Sequence, residues 1–116
     1  MSIDHLLDRV YQRHTYNCVH FACDAWRHIT GFDLAGRAAG VLRAVSEGQL
    51  LPSDMRAFKR LAKPVSPCIV LFNGRHVQAH IGVYYNGKVL HITESGVQYM
   101  PLDIALIGFE SVRFYH

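Results

Sequence analysis

At 116 residues, half of them apolar and with a formal charge of +3, the chain fits one domain spanning 1–116 with a single core. A chain this long can bury roughly two-thirds of its unfolded surface, so folding requires neither a metal nor a disulfide. No apolar run approaches the ~18 residues that span a bilayer, and the basic residues form no stripe interleaved with aromatics, so membrane insertion and nucleic-acid binding are not expected.

The three cysteines cannot all pair, and none forms a C-x-x-C, which argues against a disulfide framework and a zinc knuckle. Eight histidines stand against nine acidic residues, so positive charge climbs below about pH 6.5.

The first ten residues alternate charged and apolar side chains and lack the regions of a signal peptide, so export by that route is not expected. Residues 3–13 predict an amphipathic helix with Ile3, Leu6, Leu7 and Val10 on one face. Residues 14–17 form a loop that delivers Cys18 to the first turn of a second helix. That helix runs to about Thr30, with Phe21, Ala22, Ala25, Trp26 and Ile29 on its buried face and Gly31 as its stop. Ala38, Ala39, Val41, Leu42 and Val45 suggest a short helix ending near Gly48. Another starts at Pro52, with Ser53 as N-cap and Met55, Phe58 and Leu61 inward. Pro64 and Pro67 close the helical half.

From Cys68 the pattern changes. Ile69-Val70-Leu71-Phe72 suits a buried strand, followed by a turn at Asn73-Gly74. Residues 77–85 and 88–93 read as strands around a second turn, Asn86-Gly87, and residues 97–100 and 112–115 add two more. Helices first and an antiparallel sheet afterwards is an α+β pattern.

A thiol at a helix N-terminus sits among unpaired N–H groups at the positive end of the macrodipole, which favours the thiolate and can hold an oxyanion. A cysteine at this place also suits a small buried hydrophobe. The hairpin register adds the next clue. With a two-residue turn, facing positions sum to 173, so His91 lies opposite Gly82 and His80 opposite Thr93. His80 and His91 then share a face as diagonal neighbours roughly 7–8 Å apart, within hydrogen-bonding reach of two imidazoles. Gly82 removes the side chain that would crowd His91. A nucleophile, a base and a group that orients the base make up the logic of covalent hydrolysis.

These residues resemble the NlpC/P60 family of papain-like cysteine peptidases, over roughly residues 14–100. The likeness rests on Cys18 at a helix start, on His80-Ile81-Gly82-Val83-Tyr84, and on His91 in Lys88-Val89-Leu90-His91. The strand from Pro67 to Phe72 resembles the one that precedes the family's catalytic histidine. The family's Asp-Cys-Ser-Gly is replaced here by Asn17-Cys18-Val19-His20. The resemblance implies a papain-like fold with N-terminal helices packed on a C-terminal sheet, and cleavage of amide bonds in peptidoglycan stem peptides, typically between D-glutamate and a diamino acid. Cys18 is then the nucleophile, His80 the general base and acid, and His91 the group that holds the His80 ring. Tyr16 and Asn17 are candidates for substrate binding, and the Cys18 N–H for the oxyanion hole. No metal or other cofactor is implied. Small stand-alone versions resemble those of tailed phages and prophages, which implies tail proteins as partners and a place in the virion tail, or in the bacterial cytoplasm before assembly.

Two other readings remain: a tail-tip structural or assembly protein that keeps the fold without the chemistry, and a metal-binding module. Against the latter, His76 and His80 on one strand stand roughly 13 Å apart, too far for one ion. Cys23 lies about 140° round the helix from Cys18 and cannot share its site. Cys68 reads as strand core and Trp26 as packing against the sheet. His20 reads as facing solvent or the cleft rim, and Asp24 and Glu94 as solvated. Glu94 is the alternative third group should the register slip by one.

Overall fold

The computed structural model describes residues 2–37, 39–47, 49–75 and 78–116; the expectations at Ala38, Gly48, His76 and Val77 lie outside the described residues. Asn86 and Gly87 both take positive φ, 49° and 85°, the backbone of the tight hairpin turn whose twist matches its strands. The turn joins β3 (His80–Tyr85) to β4 (Lys88–Thr93). It pairs Tyr85 with Lys88, Tyr84 with Val89 and Val83 with Leu90, the register expected from the sequence. With β1 (Arg60–Leu61), β2 (Cys68–Asn73), β5 (Gly96–Met100) and β6 (Ser111–Tyr115), these strands form a six-stranded antiparallel sheet in the order β1-β6-β2-β3-β4-β5.

The sheet is covered on both faces, which explains the unbroken apolar run in β2. On one face Ile69, Leu71, Ile81, Val83, Leu90 and Ile92 pack in one core with Val19, Phe21, Ala22, Ala25 and Trp26 of α1 (Cys18–Thr30). On the other, Cys68, Val70, Phe72, Val89 and Phe114 meet Ala105 of α4 (Leu102–Ala105), with Leu106 and Phe109 from the turn after it. The chain is therefore an α+β domain with helices on an antiparallel sheet, as expected, and with a second cover that the sequence did not signal. α1 ends as expected, at Gly31, whose φ of 81° lets its N–H reach the Arg27 carbonyl. α2 (Leu34–Arg37) and α3 (Ala39–Glu47) follow, with Val41 and Ala44 buried. No helix among the described residues is long and apolar enough to cross a membrane.

Three expectations need correction. Residues 3–13 do not form an amphipathic helix: one 3-10 turn at Asp4–Leu6 buries Leu6, while Leu7 and Val10 are exposed. A helix this short has little to offset its nucleation cost. The chain instead closes a turn in which Gln12 and Tyr16 exchange backbone hydrogen bonds of 2.9 and 2.8 Å. Ser53 is not an N-cap. Residues Pro52–Met55 form a 3-10 turn, and the carboxylate of Asp54 accepts the Leu51 N–H at 2.7 Å while pairing with Arg43. Leu61 lies on β1 and packs with the second core, away from Met55 and Phe58.

The register has a stability signature. Leu90 is fully buried on the α1 face, so Leu90→Ala should cost about 2–5 kcal/mol in urea unfolding. A loss below about 1 kcal/mol would place Leu90 outside that core.

Candidate active site

The turn that ends at Tyr16 presents Asn17 as the N-cap of α1. Its Oδ1 accepts the Val19 N–H at 3.0 Å, and the Asn17 N–H donates back to His20 Nδ1 at 3.1 Å. This is a capping box with histidine where glutamate or glutamine is usual. Asn17 Nδ2 also donates to the Arg13 carbonyl at 3.1 Å. The buried Asn17 side chain thus holds the helix start in place, and His20 does the same from outside. Asn17 also lines a cavity beside Cys18.

Cys18 follows directly, against the start of β3. The thiol meets backbone N–H groups of Ile81, Cys18 and Val19, which favour its charged form, but burial outweighs them and pushes its pKa above the ordinary thiol range. The expectation of a resting thiolate is therefore corrected: burial withholds solvation that the N–H groups only partly replace. Cys23, partly buried in the α1 core, is pushed up to about 12 by burial and by the carboxylates of Asp33 and Asp24. Cys68 is fully buried in β2.

His80 and His91 meet as expected. Nε2 of His80 lies 2.7 Å from Nδ1 of His91, with ring centroids 5.0 Å apart. Gly82 makes the approach possible: a Cβ there would stand 3.1 Å from the His91 Cβ and 3.0 Å from Val89 Cγ1. Aromatic rings enclose the pair. Phe109 stacks on His80 at 5.7 Å and 12°, and Phe72 contacts both imidazoles. Burial first, and the neighbouring His91 second, lower the His80 pKa to about 3; burial lowers that of His91 as well. At neutral pH both rings are uncharged. His91 Nε2 is buried with no hydrogen-bond partner among the described residues.

Cys18, His80 and His91 line one cavity of about 620 Å³, together with Tyr11 and the turn after α4. A smaller cavity of about 190 Å³ shares Cys18 and Tyr11 with it and continues to Arg13 and His14. Tyr16 borders neither: its hydroxyl donates to Asp24 at 2.5 Å and its ring stacks on His20. Tyr11 occupies the place expected of Tyr16. The sequence concealed it inside a helix that does not form. Glu94 is exposed and lines the larger cavity, apart from the histidine pair. Among the described residues, no group of three His, Cys, Asp or Glu side chains could hold a metal ion. In comparisons with known proteins, no family model matches the chain, and no curated protein matches it.

Two measurements check this electrostatic picture. An unfolded histidine protonates near 6.5 and folded His80 only near 3, so the unfolded chain takes up the proton first as pH falls. The stability that goes with neutral His80 is complete above about pH 6.5 and is lost toward about pH 3. His80→Asn should flatten the fall in unfolding free energy between pH 7 and pH 4; an unchanged slope would contradict the lowered pKa. Separately, iodoacetamide near neutral pH should label Cys18 before Cys23 and Cys68, because only Cys18 opens to the cavity and meets three N–H donors. Equal labelling in peptide mapping would argue against its reactivity.

Proposed function

We propose that the chain is a cysteine hydrolase of the papain-like NlpC/P60 kind, cleaving amide bonds in peptidoglycan stem peptides. The observation that carries the reading is the 2.7 Å hydrogen bond between His80 and His91 in a cavity that Cys18 also lines. With Nε2 of His80 facing His91, Nδ1 is the nitrogen left to serve Cys18. The reaction needs the tautomer in which His80 Nε2–H donates to His91 Nδ1, leaving His80 Nδ1 bare. As Cys18 Sγ attacks the amide carbon, its proton passes to His80 Nδ1. The new imidazolium then makes a charge-assisted hydrogen bond to His91. The Cys18 N–H at the α1 start can receive the negative charge on the carbonyl oxygen, the Val19 N–H being held by the Asn17 cap. His80 next protonates the leaving nitrogen, the C–N bond breaks, and a thioester to Cys18 remains. Water, deprotonated by His80, attacks the thioester and frees the acid. The peptidoglycan substrate, and a place with phage tail proteins, rest on the family resemblance of the motifs.

The reacting form is neutral thiol with neutral imidazole, so its population is bounded below by His80 protonation and above by Cys18 ionisation. With the first near 3 and the second raised, kcat/KM should hold from neutrality down to about pH 5. A fall centred on pH 6.5 would indicate an ordinary histidine instead. Muropeptide turnover followed by mass spectrometry should drop by roughly 1000-fold or more in Cys18→Ser, with the thermal transition little changed, and in His80→Ala, whose lost packing against Phe72 and Phe109 also lowers stability. His91→Asn supplies an acceptor oxygen and should keep a measurable fraction of activity, where His91→Ala loses roughly 100-fold or more. Wild-type turnover in Cys18→Ser would overturn the reading.

A further inference from the structure

The two cavities meet at Cys18 and differ in chemistry. The smaller includes Arg13, His14 and Glu47, and neither histidine of the pair. The larger holds both histidines and has an apolar wall of Met100, Ile104, Ile107 and Phe109. Ile104 is 50% exposed and Ile107 74%, so two aliphatic side chains of the cavity wall face water. Glu94 is the only charged residue among the described residues lining it, and no Lys or Arg stands there to neutralise an anion.

Reaction chemistry assigns a direction to this asymmetry. The proton that His80 takes from Cys18 must go to the leaving nitrogen, so the departing amine lies within reach of His80, in the larger cavity. The acyl part, bonded to Cys18 Sγ, extends toward the smaller one. We infer that the larger cavity is a leaving-group subsite for an amine with an aliphatic side chain and no carboxylate. The aliphatic group covers the Ile104–Ile107 surface. A carboxylate placed there meets Glu94 and loses water without gaining a cation. The inference rests on the hydrolase reading and narrows it, since a diamino acid with a second carboxylate is disfavoured.

The test has a turnover arm and an arm that needs no turnover. N-acetyl-alanyl-γ-D-glutamyl peptides are prepared with norleucinamide, lysinamide or glutamic acid α-amide as the leaving residue. The norleucine and lysine peptides should exceed the glutamate peptide by about tenfold or more in kcat/KM. Ile107→Asp, a substitution at an exposed position, should shrink the preference for norleucine. Independently, Cys18 is alkylated with N-butyl iodoacetamide and with iodoacetate, each rate divided by that of glutathione with the same reagent. The butyl reagent should react faster; Ile107→Asp should slow it, and Glu94→Gln should speed iodoacetate. Equal or reversed preference among cleaved peptides overturns the subsite. If none of the three peptides is cleaved, the leaving-group role fails with the hydrolase reading, and the alkylation order decides only the cavity's chemistry: butyl ahead of carboxylate supports an apolar subsite beside Cys18, and no difference overturns it.

Discussion

Positive φ at both Asn86 and Gly87 forces a two-residue turn between β3 and β4, and the rest of the molecule follows from the register this sets. Side chains alternate along a strand, so a slip of one residue would exchange the two faces of β4. In the register observed, Leu90 and Ile92 enter the core beneath α1, while His91 turns to the opposite face and meets His80. Core and candidate site are thus two consequences of one backbone constraint. Gly82 completes it, because any side chain at that position would press on His91.

The second requirement is that α1 begins at a fixed point relative to β3. Asn17 and His20 tie the first turn from both sides, and the Ile81 N–H reaches the Cys18 thiol from the neighbouring strand. The same close packing dries the site. Burial raises the thiol and lowers the imidazole, so both groups rest uncharged at neutral pH. Phe109, after α4, and Phe72 of β2 both pack on the His80 ring.

What could be read from the sequence was governed by short-range chemistry. The Asn86-Gly87 turn, the bounds of α1 and the shared face of His80 and His91 depend on residues within a few positions of one another, and all appear as expected. What escaped reading depends on partners distant in sequence. Leu7 and Val10 have helical spacing, yet the Gln12–Tyr16 turn prevails and brings Tyr11, not Tyr16, to the cavity. β1 is two residues long and exists through pairing with β6. The four residues of α4 carry too little periodicity to announce a cover for the second face of the sheet. The charge state of Cys18 belongs to the same class: a helix N-terminus is visible in sequence, whereas the burial that outweighs it is a property of the assembled pocket.

The tautomer and charge of His80 are decisive, and nitrogen-15 NMR of the imidazoles reads both directly. His80 should be neutral at pH 5, with its proton on Nε2, a bare Nδ1, and a scalar coupling across the hydrogen bond to His91 Nδ1. A proton on His80 Nδ1, or a titration centred near 6.5, would contradict this.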